Sequence, residues 1–325
     1  MTRYLVRRLA FALVLVAAVS SASFLLARLA PGDFVTETLG TQASRDEIAR
    51  ERARFGLDRS IAAHYRDWAA AALRLDFGPS MLYGRPVRDL IPERAANTAL
   101  LAFIALVFAT AVGLPLGIVT GSRRGGALAA AVRGASIVLL SMPPLLTSLL
   151  LVFVAARTGW LPIAGMRSST VPPGGAALDL LRHLNVPALA NGLPLAVALE
   201  RLQAQSMSEV VDAPFVLAAL ARGVPRRRVL WRGALKASLR PVAAIYGLMI
   251  GTLLSGSFAV EVITAWPGLG SLMLQALRAR DIYLVAGCAG AGALFLALGT
   301  MTSDLALAIV DPRASETSRH AEAAA

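Results

Sequence analysis

From Glu209 to Pro241 the chain reads E-V-V-D-A-P-F-V-L-A-A-L-A-R-G-V-P-R-R-R-V-L-W-R-G-A-L-K-A-S-L-R-P, a basic interruption in an otherwise very apolar sequence. Asp212 followed by Pro214 reads as a helix start, with a carboxylate cap and a proline in the first turn. Gly223 reads as a helix stop, because glycine takes the left-handed conformation without the ~1–2 kcal/mol penalty of other residues. Pro225 blocks continuation, and Arg226 to Lys236 is expected to form a second short, strongly basic helix. Two short helices folded about a glycine make a compact plug, suited to a groove on a soluble partner. Its apolar docking face is expected to be Val216, Ala219, Leu220 and Val224. A basic loop at a membrane surface would satisfy the same composition.

On either side of this stretch the chain is a membrane protein. It is 56% hydrophobic with a mean hydropathy of +0.63, beyond what soluble domains of this length carry. Runs free of Asp, Glu, Lys and Arg are Leu9–Ala27, Thr98–Thr120, Gly134–Ala156, Val186–Leu199, Val242–Val260 and Ile282–Ser303. Five can cross a hydrocarbon core of ~30 Å at ~1.5 Å per residue. Val186–Leu199 is short, and charge decides its reading. With six crossings, Arg3/Arg7/Arg8, Arg123/Arg124/Arg133 and the Arg222–Arg240 cluster all face the cytoplasm. Without the fourth, the last cluster would lie outside. Six spans with both termini cytoplasmic is therefore the expected fold, in an all-α polytopic membrane protein whose fourth helix continues through Glu200 and Gln203. The first span is read as an uncleaved signal-anchor, since its apolar run outlasts a signal core.

The division read from the sequence places the first span and an external cap loop in residues 1–97. A five-helix core occupies 98–313, with its cytoplasmic loop at 208–240, and a disordered cytoplasmic tail occupies 314–325. The external loop Pro31–Asn97 has ten basic and ten acidic residues. Within it, Ser44 with Glu47 three residues later is a capping box opening a helix that Gly56 ends. Asp46 and Arg50 are spaced to pair on that helix.

The residue inventory excludes much chemistry. Lys236 is the only lysine, and it stands between Leu235 and Ala237, so the lysine of a phosphate-binding P-loop is missing. Any ATP hydrolysis belongs to another polypeptide. One cysteine and three scattered histidines suggest neither a disulfide framework nor a metal cluster, and no cofactor is expected. The net charge of +12 flanks apolar spans, which points to a bilayer and not to nucleic acid. The runs hold no ionisable residue near a midplane, which argues against an ion-coupled secondary carrier. A non-transporting membrane scaffold is the other alternative.

Three intramembrane features bear on a transport path. Gly113-x-Pro115-x-Gly117 and Pro143-Pro144 remove helix hydrogen bonds, giving either a gating bend or ordinary packing kinks. Gly247, Gly251 and Ser255 form a small-residue stripe for close helix approach, within the chain or to a second copy. Trp266-Pro267-Gly268-Leu269-Gly270 predicts a rigid external turn, in which Glu261 and Trp266 are candidate substrate contacts.

Ala218-Ala219, Gly223 four residues later, Ala234-Leu235 and Pro241 resemble the cytoplasmic coupling loop of ABC importer permeases of the dipeptide/oligopeptide/nickel branch. The resemblance extends over the chain, from Arg28-Leu29-Ala30-Pro31-Gly32-Asp33, typical of the first-permease subtype, to Asp311-Pro312-Arg313. Between them lie Phe55-Gly56-Leu57-Asp58, Leu75-Asp76-Phe77-Gly78, Gly159-Trp160-Leu161-Pro162 and Ala279-Arg280-Asp281. It implies a permease of the bacterial inner membrane that moves peptides or similar small solutes by alternating access and is not itself an enzyme. It also implies two ABC ATPase subunits, a second related permease and an external solute-binding protein as partners. The implied ATPase-coupling residues are Ala218, Ala219, Leu220, Arg222, Gly223, Val224, Leu235 and Lys236. Pro115, Pro143, Pro144, Glu261 and Trp266 are the expected path or gating residues. The motif departs from its family: Leu217 stands at the acidic position, Pro214-Phe215 replace Asp-Tyr, Arg222 replaces lysine, and Gly233 and Ser238 replace histidine and asparagine.

Overall fold

The computed structural model describes residues 2–39, 43–122, 126–168 and 175–310. The expectations placed on Arg123, Arg124, the Ser255 side chain, Asp311-Pro312-Arg313 and the tail from 314 to 325 lie outside the described residues. Among the described residues the architecture is helical, with one isolated bridge between Pro79 and Pro86. Helix α1 is Thr2–Leu29. It is followed by α2 (Phe34–Leu39), α3 (Arg45–Arg54) and α4 (Ile61–Ala72). Next come α5 (Val87–Ser122), α6 (Ala127–Leu140), α7 (Pro144–Thr158) and α8 (Ala176–Val211), then two short helices, α9 (Pro214–Ala221) and α10 (Arg226–Val229). A π-helical turn, Leu230–Ala234, leads into α11 (Leu235–Gly256), followed by α12 (Phe258–Ile263), α13 (Leu269–Arg278) and α14 (Ile282–Val310).

Four helical stretches are long and apolar enough to cross a membrane: Val6–Leu29, Val87–Ser122, Arg226–Ile263 and Ile282–Thr302. The pair Ala129–Leu140 and Pro144–Thr158, bent by 105°, makes a fifth if it counts as one span. The fourth expected span lies in α8, whose 36 residues reach ~54 Å at ~1.5 Å per residue. It is not among the four, and His183, Asn185 and Asn191 in its first half lower its apolarity. As expected, α8 runs on through Glu200 and Gln203.

The chain divides into two compact units, residues 1–100 with 254–297 and residues 101–253 with 298–325. In the first, Phe24 of α1 stacks on Trp68 of α4 with ring centroids 4.6 Å apart. Around them Phe34, Val35, Leu57, Met81, Ile282 and Ala286 complete an apolar core. The segment from α2 to α4 is fastened by local capping. Ser44 and Glu47 form the expected reciprocal capping box on α3, and Gly56 follows that helix at φ +66°. Arg50 reaches the backbone oxygen of Asp46 at 3.2 Å, not its carboxylate. Asp33 accepts from the Thr36 amide at 2.9 Å and from Arg52 Nε at 2.6 Å. Burial pushes the Asp33 carboxyl up, but those bonds together outweigh it and hold the group below its usual range. Cys288 is buried among Val87, Leu269, Leu272 and Leu284 as a small core residue.

In the second unit α8 is the hub. A Cβ on Gly113 would lie 2.3 Å from the Ala196 carbonyl oxygen. On Gly117 it would lie 2.6 Å from that of Glu200, and on Gly121 2.4 Å from that of Ala204. These three glycines, four residues apart, let α5 and α8 touch backbone to backbone. At Gly113-x-Pro115-x-Gly117 α5 continues as one helix, and Pro115 is exposed. The break expected at Pro143-Pro144 is present, with Pro143 as N-cap and Pro144 in the first position of α7. Gly299 likewise meets Gly251 backbone to backbone, its Cβ position 2.9 Å from the Gly251 nitrogen. The stripe in α11 is thus used within the chain at that position.

Candidate functional site

The segment between α8 and α11 folds as a helical hairpin. Pro214 opens α9 as expected, but the cap differs from the sequence reading. Asp212 ends α8, and Ala213 is the N-cap of α9 without a side-chain cap bond. Gly223 adopts φ +79°. The Gly223 amide donates to Leu220 O at 2.9 Å and the Val224 amide to Ala219 O at 3.2 Å, the two bonds of a Schellman stop. The return arm does not form a separate short helix. It passes from α10 through the π-helical turn into α11, so the basic segment is the first part of the apolar stretch Arg226–Ile263. Gly233 lies within that π turn, the kind of local bulge that often accompanies functional sites.

The hairpin has an inside and an outside, and these are reversed from the sequence reading. Val216 is buried with Met207, Val229 and Ala234, and Ala219, Leu220 and Val224 pack against the same cluster. The face expected to dock is therefore the hairpin's own core. The outer surface carries Phe215, Leu217 and Trp231, which are 49%, 54% and 58% exposed. Around them Ala218, Arg222, Gly223, Arg226, Arg227, Arg228, Arg232 and Lys236 are exposed, while Leu235 is half-buried. A groove of about 660 Å3 runs behind the hairpin, bordered by Ile118, Met207, Asp212, Arg226 and Trp231.

The polar side chains of α8 fix its neighbours. Glu200 is buried and accepts from Thr120 Oγ1 at 2.6 Å and Ser136 Oγ at 2.9 Å, tying α5 and α6 to α8. Gln203 Nε2 donates to Ser238 Oγ at 2.8 Å, tying α8 to α11 just past the hairpin. Sequence reading placed Glu200 at a membrane edge. Its hydroxyl partners, 64 and 80 positions away, were not legible from spacing.

In the first unit, Glu261 and Trp266 are both fully buried. One Glu261 oxygen accepts from Thr98 Oγ1 and Ser257 Oγ, each at 2.8 Å. The other accepts from the amides of Gly270 at 2.7 Å and Ser271 at 3.2 Å. Trp266 Nε1 donates to Asn97 O at 3.1 Å. Their polar atoms thus hold the turn at the start of α13. Asp281 does similar work at α14, accepting from Ser80 Oγ at 2.6 Å, the Leu82 amide at 3.0 Å and the Leu284 amide at 3.1 Å.

A polytopic helical membrane protein with a cationic cytoplasmic-type hairpin between two long helices is the class this architecture defines. Residues 113–316 match the family described as "Binding-protein-dependent transport system inner membrane component", and residues 1–79 match the N-terminal membrane component of the same systems. The chain belongs to that family. It is 29% identical over 96% of its length to the oligopeptide transport system permease protein AppB of Bacillus subtilis, covering 99% of that protein. It is 31% identical over 98% of its length to a putative peptide permease protein of Brucella suis, covering all of it. A probable peptide ABC transporter permease protein of Sinorhizobium fredii is 29% identical over 95% of the chain and 98% of that relative. The chain is accordingly an inner-membrane component of a bacterial binding-protein-dependent transport system.

Proposed function

We propose that the chain is one of two permeases of an ABC importer for peptides or similar small solutes, and that its hairpin couples it to ATPase subunits in trans. The observation that carries this reading is the folded hairpin itself. A Schellman tip at Gly223 and a small apolar core give it a fixed shape, and an exposed apolar and cationic outer face gives it something to bind. The peptide assignment follows the names of the relatives. The coupling residues are Ala218, Arg222, Gly223 and Lys236 on the outside. Ala219, Leu220, Val224 and Leu235 support them from within.

Alternating access needs an element that transmits hairpin movement to the spans. Gln203–Ser238 and Glu200–Thr120–Ser136 are the rigid links from hairpin to α8, α5 and α6. The bend at Pro143-Pro144 is the place where the third span can change direction. In this reading α8 is the fourth of six crossings, which puts the hairpin on the side of Arg7 and Arg8. Glu261 and Trp266 shape an external turn that faces the solute-binding protein's side, and the loop of residues 31–97 forms the cap there.

The test is affinity purification of the tagged full chain from its native membrane in mild detergent, with stoichiometric partners identified by mass spectrometry. A P-loop ATPase and a second permease are expected. Phe215→Asp with Leu217→Asp should remove the ATPase and retain the second permease. Recovery of the chain alone would sink the importer reading in favour of a scaffold.

A further inference from the structure

From Ala213 to Val260 the chain contains no acidic residue, while Arg222, Arg226, Arg227, Arg228, Arg232, Lys236 and Arg240 contribute seven cations. All seven are exposed. The same hairpin exposes apolar side chains from both arms, Phe215 and Leu217 on α9 and Trp231 on the π turn. The hairpin surface thus combines exposed apolar side chains with a large excess of positive charge, Asp212 at its base being the adjoining acidic residue.

We propose that the ATPase surface receiving this hairpin is an apolar groove rimmed by carboxylates; the proposal rests on the docking function proposed above. A groove lined with arginine or lysine would place like charges against these cations, which costs several kcal/mol. Carboxylates would instead accept paired N–H bonds from the guanidinium groups. Leu217 supports the same polarity, since at 54% exposure it offers an apolar contact and nothing to neutralise a partner's cation. An anionic lipid surface would also attract the cations. However, it needs only charge, not a knob whose shape is fixed by an internal core and a Schellman tip.

The experiment uses the full chain in its native membrane, with a photo-crosslinking side chain at the exposed position Ala218. The ATPase is the expected adduct. Raising salt from ~0.1 M to ~1 M before irradiation shortens the Debye length from about 10 Å to about 3 Å and should lower the yield of that adduct. The triple variant Arg226→Glu, Arg227→Glu, Arg228→Glu should lower the adduct by at least about tenfold, given the cost of like charges facing each other. The Arg→Gln triple should lower it less, and carboxylate-to-lysine changes in the crosslinked ATPase peptide should restore the Glu triple. An ATPase adduct indifferent to both salt and charge reversal overturns the proposal and leaves docking standing. A co-purifying ATPase that never crosslinks from position 218 overturns both. If reversal leaves the ATPase adduct intact and only weakens binding of the chain to phosphatidylglycerol over phosphatidylcholine nanodiscs, the cations serve lipid and the proposal fails.

Discussion

The same backbone device ends helices at Gly56, Gly223, Ala265 and Arg280, and the last three differ in how they are held. At Gly223, Ala265 and Arg280 the residue after the C-cap has φ of +79°, +49° and +56°. Each of these amides bonds back three residues, and the next amide bonds back five: Val224 to Ala219, Trp266 to Glu261, and Asp281 to Ala276. In the hairpin the strained position is a glycine, which adopts it freely. At the other two it is alanine and arginine, at a cost of ~1–2 kcal/mol each. Those two turns sit beside the buried carboxylates Glu261 and Asp281, whose hydrogen bonds over-determine the local backbone. The hairpin has no such lock, only a small apolar core and a permissive tip. The two turns fixed by buried polar bonds thus carry a strained side chain, whereas the hairpin tip uses glycine.

Removing the lock is the strongest way to break this contrast. Glu261→Ala leaves the Gly270 and Ser271 amides without their acceptor in a buried site. At ~1–3 kcal/mol for each unsatisfied donor, the expected loss is roughly 2–6 kcal/mol, read from denaturation of the detergent-solubilised chain. Gly268→Ala should act in the same direction for a different reason. Its backbone is extended at φ −100°, but a Cβ there would lie 2.4 Å from the Glu261 carboxyl group. Unchanged stability in both variants would mean that the carboxylate does not organise the turn.

Exchanging the tips tests the other half. Gly223 has open space around its Cβ position, so Gly223→Ala meets only the backbone penalty of ~1–2 kcal/mol. Gly223→Asn should cost less, since asparagine tolerates this conformation. Ala265→Gly should go the opposite way, relieving strain against an unfolded-chain entropy term of ~0.5–1 kcal/mol and raising stability slightly. If Ala265→Gly destabilised as much as Gly223→Ala, the two turns would not differ in how they are held.

What could be read from the sequence follows the range of the interactions. The glycine stop at Gly223, the Ser44–Glu47 capping box and the break at Pro143-Pro144 depend on residues within five positions, and each is where local rules place it. The hairpin's inside and outside were reversed because its core includes Met207 and Val229, which no helical period within α9 reveals. Glu261 invited a substrate role because its four donors come from α5, Ser257 and the start of α13. The Gly113–Gly117 spacing suggested a kink, and only the position of α8 makes those glycines, with Gly121, a contact stripe.

Among the described residues, polar saturation of the first unit fails at two neighbouring side chains, His64 and Arg28, and His64 supplies the mildest test. His64 is buried against Phe24, with ring centroids 5.3 Å apart. Its Nε2 meets the Tyr283 hydroxyl at 2.7 Å, but His64 Nδ1 and the neighbouring Arg28 Nε have no partner among the described residues. Burial, reinforced by the charges of Arg28 and Arg59 and opposed by Asp67, lowers the His64 pKa below its usual 6.5. A histidine whose folded value is depressed is neutral in the folded chain while the unfolded chain binds the proton. Its contribution is therefore complete above about pH 6.5 and is lost as pH falls through the lower folded value. Stability should decline on acidification across that window, and His64→Gln should flatten the decline without altering the plateau slope at higher pH. The cap packed on Phe24 and Trp68 should loosen first, visible as faster amide exchange in α4 than in α13 at pH 5 to 6. Equal exchange in both helices, or a pH profile unchanged in His64→Gln, would show that the uncharged imidazole is not what keeps this core closed.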